Sequence, residues 1–353
     1  MPYFTGLGHI SPQHTLHHHS LPEEVVVQQG PYMRCIEPDY KQYIHPRKSR
    51  RMSRIIKMGV AAAKTCMADA GVEMPDGIIV GTGLGCLEDT EKFLRSLIEQ
   101  DEQMLNPSNF IQSTHNTIAG QIALLLNCKA YNNTYAHRAF SLEHALLDAC
   151  LLLEEGEGQH MLVGGIDELT PTSFAITNRM GLWKQQLGNK QELLTSKERG
   201  TLPGEGAAFF MLSKEAGSRA WAQLKGIDTF YEPASTAEIY QRIAHMLSKA
   251  NSSPEEIDVL VLGLSGDPQT DQYYRQLQQD FFPGLPACHF KPLRGEGYTA
   301  SGFGLWLAAS MLKTQNIPPT CKWNDQPAGR IQNVLVYNHY LAYHHSLCWL
   351  AAV

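Results

Sequence analysis

Apolar positions recur along the chain with two periods. Between Met52 and Ala70, Ile55, Ile56, Val60, Ala63 and Cys66 fall at helical spacing and predict a helix closed by Gly71. Leu142, Ala145, Leu146, Ala149, Leu152 and Leu153 predict a second helix from about Arg138 to Glu155. Further helices are expected over Leu87–Gln100, opened by Glu88 and Asp89, and over Thr117–Leu126. Shorter runs read as strands. Tyr3–Ile10 runs into a turn at Ser11-Pro12, Asp76–Gly85 (DGIIVGTGLG) runs into a glycine turn, and Lys129–Tyr135, Gln159–Gly164 and Ala207–Leu212 follow. Residues 13 to 50 are polar and read as loop.

A second, shorter series begins near Arg219. It predicts strands at Ala222–Ile227, Ile257–Gly263, Val334–Tyr337 and Leu347–Val353, with helices at Thr236–Ala250, Gln272–Phe281 and from beyond Gly302 to Lys313. Two strand–helix series in tandem imply an α/β fold of two related lobes, 1–215 and 216–353, forming one unit because no Pro/Gly/Ser linker divides them. Composition narrows the function classes. A net charge of -6 leaves no cationic surplus for phosphates, so no nucleic-acid partner is expected. No apolar run reaches the ~18–20 residues of a membrane span, and the first residues do not read as a signal peptide. Eight scattered cysteines without a CxxC pair then suggest free thiols in a cytoplasmic protein.

Candidate chemistry is sparse. The junction between Tyr135 and the helix that follows is suited to a nucleophile, because a helix N-terminus stabilises an anion, yet it carries Ala136-His137-Arg138. Gly81–Cys86 (GTGLGC) lacks the Lys-Ser/Thr of a P-loop and the third glycine of a dinucleotide fingerprint, so a structural turn is expected. Ser265-Gly266-Asp267 is equally unspecific, and Gly204-Glu205-Gly206 reads as a packed glycine turn that would alternatively set a carboxylate on backbone amides. His344-His345-Ser346 could supply a base, although nothing near it in sequence points to one. His14 and His17–His19 read as a solvated segment, so no metal and no cofactor are expected.

Taken in order, the motifs carry more. TGLGHISP, the helix RRMSRIIKMGVAAAKTCMADAG, GIIVGTGLG, NPSNFIQSTHNTIAGQIAL, MLVGGIDELTP and GTLPGEGAAFFML together resemble the front half of a β-ketoacyl synthase of the thiolase fold. The resemblance implies two similar halves stacked α-β-α-β-α, a dimer, and carbon–carbon bond formation between acyl thioesters. It also implies a cysteine nucleophile, two histidines that stabilise an enolate oxygen, and a lysine supporting one of them. Carried over by position, the cysteine falls on His137, the first histidine on Gly263 and the second on Glu296. The lysine survives as Lys291. Pro268 and Asp271 match the strand-end motif beside Gly263, and Asn338 is what remains of the C-terminal glycine-rich loop.

An acyl-imidazole hydrolyses readily, so His137 is a poor store for an acyl chain. The expectation is therefore a non-catalytic subunit resembling a chain length factor, as in type II polyketide, aryl-polyene or flexirubin systems. Its partners would be a catalytic ketosynthase subunit or a second copy of itself, together with acyl carrier protein. The resemblance puts Phe110, Gln112 and Thr114 at the interface, as gates of the partner's acyl tunnel. The alternatives are an acyltransferase or hydrolase that pairs His137 with Glu296 or borrows Cys86 or Cys150, and a structural homodimer without an acyl ligand.

Overall fold

Alternation along the strands sorts their side chains into separate cores. The computed structural model describes residues 1–185 and 193–353. In the first half, β1 is Tyr3–Ile10, β2 Gly77–Gly81, β3 Tyr131–Tyr135, β4 His160–Asp167 and β5 Gly206–Ser213. In the second, β6 is Ala222–Tyr231, β7 Val259–Leu262, β8 Ala287–His289, β9 Asn333–Tyr340 and β10 His344–Ala351. The strand order is β3-β2-β4-β5-β1-β6-β10-β9-β7-β8. Read outward from the β1/β6 seam, each half has the same order and the same senses. Its first strand is antiparallel to its fifth, the fifth is antiparallel to its fourth, and the fourth is parallel to its second, which is parallel to its third. The two lobes are therefore topological repeats. They are not separate sheets, because Tyr3 and Phe4 pair with Gln223 and Ala222 and join ten strands into one.

The helices are α1 Pro46–Ser49, α2 Arg54–Ala70, α3 Leu87–Glu99, α4 Pro107–Ser113, α5 Thr117–Leu126, α6 Ser141–Glu155, α7 Pro171–Arg179, α8 Thr236–Ser248, α9 Gln272–Gln276, α10 Lys291–Arg294 and α11 Ser301–Thr314. Helices α6 and α11 lie between the two halves of the sheet. Ile79, Met161, Val163 and Phe210 from one half and Val259, Val261, Val334 and Val336 from the other meet them in a central core. The neighbouring strand positions point the opposite way. Ile78, Val80, Leu162 and Phe209 pack under α2 and α5, whereas Leu260, Leu262, Leu335 and Trp349 pack under α8. The layers therefore run α-β-α-β-α. Helix α2 lies close to β1 because Gly8 has no side chain: a Cβ there would strike the backbone of Ala62 and Cys66.

Several elements differ from the sequence reading. Helix α6 starts at Ser141, after a 3₁₀ turn over Arg138–Phe140. The segment read as one helix from Gln272 becomes α9 followed by a π turn at Leu277–Phe281. Strand β10 starts at His344, so His344-His345-Ser346 lies within a strand. Strand β8 and helices α4, α7 and α10 span three to nine residues, too short for periodicity to register.

Candidate functional site

The junction after β3 is sharp. Arg138 takes a φ of 49°, uncommon for a residue with a side chain, and starts the turn into α6. The amide of His137 donates to Ser141 Oγ at 2.8 Å, and that hydroxyl is 3.0 Å from the Thr82 carbonyl, which ties the junction to the end of β2. The imidazole of His137 points outward. It is exposed, with its Nδ1 3.3 Å from His144 Nδ1 and its ring edge-on to Phe140. Burial, then the neighbouring His137, lowers the pKa of His144.

Beyond the end of β7, Gly263 faces a space that other side chains already fill. A Cβ built on it would lie 2.6 Å from Asn338 Oδ1, 2.7 Å from the Tyr274 hydroxyl and 3.1 Å from Lys291 Cε. The Tyr274 hydroxyl accepts from the His339 amide at 2.8 Å, and its ring stacks on His339 with centroids 4.4 Å apart. His339 is fully buried with both ring nitrogens engaged. Nε2 donates to the Thr270 carbonyl at 2.9 Å, which leaves Nδ1 to accept from the Ala342 amide. Burial and then Lys291 hold its pKa well below the usual histidine range, so the ring is neutral and has no hydrogen to offer a substrate.

Lys291 opens α10. Its Nζ donates to Glu296 Oε2 at 2.8 Å and to the His339 carbonyl at 2.6 Å, and both side chains of the ion pair are buried. The expected meeting of His137 with Glu296 does not occur. Glu296 is held by Lys291, and the ring contacts of His137 are to His144 and Phe140. The two thiols that sequence put forward are also unsuited to attack. Cys86 and Cys150 are buried, and burial raises both pKa values, that of Cys150 to about 12.

The loops around this centre spend their polar groups on the chain itself. Asp167 Oδ1 accepts from the Gly83 amide at 2.8 Å and from Thr82 Oγ1 at 3.1 Å, so GTGLGC cradles an internal carboxylate. Glu205 accepts from the Cys35 and Leu169 amides, both at 3.0 Å, and from both terminal nitrogens of Arg54. The glycine turn at 204–206 therefore does place a carboxylate on backbone amides, for a structural end. Asp271 accepts from the Ser265 and Gly266 amides at 2.8 and 2.7 Å and fixes the loop after β7. Sequence missed the roles of Tyr274 and His339. His339 lies 76 positions along the chain from Gly263 (339 − 263), and no local motif marks Tyr274, 11 positions on (274 − 263).

The residues expected at an interface lie on or just after α4. Phe110 is 56% exposed and packs its inner face on Phe93. Gln112 donates to the Arg51 carbonyl at 2.5 Å, and Thr114 Oγ1 lies 2.9 Å from Thr117 Oγ1. Among the described residues, no three His, Cys, Asp or Glu side chains converge as metal ligands, and no helix is long and apolar enough to cross a membrane.

Known proteins share this architecture. The ishigamide ketosynthase/chain length factor superposes over 100% of this chain and 99% of its own, with a TM-score of 0.80 at 20% identity. A ketosynthase in complex with its chain length factor from Xenorhabdus doucetiae gives a TM-score of 0.75 at 16% identity over 100% of this chain and 98% of that one. At these identities the likeness shows the thiolase-like fold alone. In sequence, 3-oxoacyl-[acyl-carrier-protein] synthase 2 of Vibrio cholerae is 24% identical over 204 residues, 53% of this chain and 49% of that protein. A putative polyketide beta-ketoacyl synthase 1 of Streptomyces virginiae is 22% identical over 309 residues, 78% of this chain and 73% of that one. The chain spans about half the length of the curated relatives it matches first. The family model for the N-terminal domain of β-ketoacyl synthases matches residues 16–217, and with the strand order above it makes this chain a member of the β-ketoacyl synthase family.

Proposed function

We propose that this chain is a non-catalytic, chain-length-factor-like subunit of a type II fatty acid or polyketide system, shaping the acyl tunnel of a catalytic 3-oxoacyl-[acyl-carrier-protein] synthase. The observation that carries the reading is the filled space beside Gly263, where the family would hold an imidazole and this chain packs Tyr274 and Asn338. The buried Lys291–Glu296 pair and the exposed His137 support it. An oxyanion needs donors aimed at the developing charge in a water-excluded pocket. Lys291 already spends its charge on Glu296, and the ring nitrogens of His339 are taken by backbone groups.

A partner has a surface to meet. Strand β3 ends the sheet with one edge unpaired among the described residues, and α5 packs against it and against α4. Phe110, Ile111 and Leu124 on these helices are 56%, 62% and 71% exposed. Phe110, Gln112 and Thr114 are the residues we assign to this interface and tunnel end, with acyl carrier protein delivering to the catalytic sister subunit. We read residues 1–215 and 216–353 as its two lobes, and free cysteines suit a cytoplasmic setting.

The test is co-expression with a cysteine-bearing ketosynthase from the same organism. A stable mixed dimer is expected, in which an acyl-carrier-protein thioester labels only the partner. Labelling of this chain, abolished by His137→Ala, would show instead an acyltransferase using an atypical site.

A further inference from the structure

A pocket beside β1 stands apart from the residues used in the reading above. It has a volume of about 400 Å³ and lies between β1, the segment after it, α2 and α11. Its floor is apolar, made by Leu7 and Trp306. One wall is the His17 ring stacked on Tyr43 at 6.2 Å, with His17 Nε2 2.6 Å from the Tyr43 hydroxyl.

His9 and Lys64 give the pocket its specificity. His9 is 3% exposed and wedged against Phe303 and Trp306, with centroids 4.9 and 5.0 Å away. Its Nδ1 is buried with no partner among the described residues, which leaves Nε2 as the nitrogen open to the pocket. Burial pushes its pKa down to about 3, so the ring is neutral and carries one N–H. Lys64 Nζ donates to the Tyr43 carbonyl at 2.7 Å and has no carboxylate partner among the described residues. Asp69 also lines the pocket, but its Oδ2 accepts from the Leu7 amide and the Trp221 indole, both at 2.9 Å.

We infer that this pocket binds a small planar organic acid, its ring beside the His17–Tyr43 pair and its carboxylate between Lys64 and the Nε2–H of His9. The apolar floor and the few convergent polar groups are what such a ligand site needs. A metal ion is a poorer occupant, since the histidines here do not converge as ligands.

The probe is 1-naphthoate, with neutral 1-naphthamide as the control for charge, followed by calorimetry and by saturation-transfer NMR on the full chain. Naphthoate is expected to bind at least tenfold more tightly than the amide. Lys64→Gln, at a half-buried position, should abolish that preference and leave amide binding unchanged. His9→Phe should weaken both ligands or, if it disturbs β1, fail to fold, so the lysine variant decides. Equal affinity for the two probes, no binding at millimolar concentration, or an unchanged preference in Lys64→Gln would each overturn the inference.

Discussion

A buried ion pair stays stable only while both partners are present. Lys291 and Glu296 are both buried and 2.8 Å apart, so Lys291→Met leaves an uncompensated carboxylate and should cost about 3–5 kcal/mol. Lys291→Met combined with Glu296→Leu should recover most of that loss, and urea titrations of the four variants in the cycle measure the coupling. Strong destabilisation of the double variant beyond the sum of the singles would show that the pair is not the unit. Restoring an imidazole by Gly263→His should cost about 1–3 kcal/mol by overpacking against Tyr274 and Asn338, and give no condensation activity. Glu168 supplies a pH test. Burial raises its pKa to about 7, while in the unfolded chain it titrates near 4.3. The folded state therefore holds the extra proton, and stability falls as pH rises between about 4.3 and about 7. Glu168→Gln should flatten that fall, which thermal unfolding at stepped pH reads directly. A parallel decline in both proteins would remove Glu168 as its cause.

At the scale of elements, the exposed apolar side chains of α4 separate a partner surface from a stability role. Phe110→Glu with Ile111→Glu should change stability by no more than about 1.5 kcal/mol at Phe110, whose ring meets Phe93, and about 0.5 kcal/mol at Ile111, because both residues are more than half exposed in the isolated chain. The same pair should prevent the mixed dimer in size-exclusion chromatography; a dimer of unchanged stability would move the interface elsewhere. These elements also mark what was legible in sequence. Helix α2 and strands β1, β2, β4 and β5 lay open because each is long or wholly buried, so its apolar pattern is unbroken. At the site, the position of Lys291 and the absence of a junction thiol were visible in order along the chain. What held Glu296 was not, since choosing Lys291 over His137 depends on which of the two side chains turns inward. Nor was the filling of the space beside Gly263, because Tyr274 and Asn338 reach it from a helix and a strand separated by 64 positions (338 − 274).

At the scale of the whole molecule, the central layer makes the halves interdependent. Leu142, Leu146 and Phe303 lie in a core that takes strand residues from both halves, and the seam between β1 and β6 continues the sheet across them. A fragment ending at residue 215 would lack α11 and β6–β10. It would expose the inner faces of α6, β4 and β5, including Phe210 and Leu212. Such a fragment is expected to aggregate or bind hydrophobic dyes, although its own strand order is complete. In the intact chain, Leu142→Ala should cost about 2–5 kcal/mol. That loss should move the far-UV dichroism transition and the fluorescence of Trp349, under α8 in the second half, to the same lower urea concentration. Keeping Trp349 as the sole tryptophan isolates that signal from the other four. Two separated transitions, with only the first shifted by Leu142→Ala, would mean that the repeats fold as independent units and that the shared core is only a contact between them.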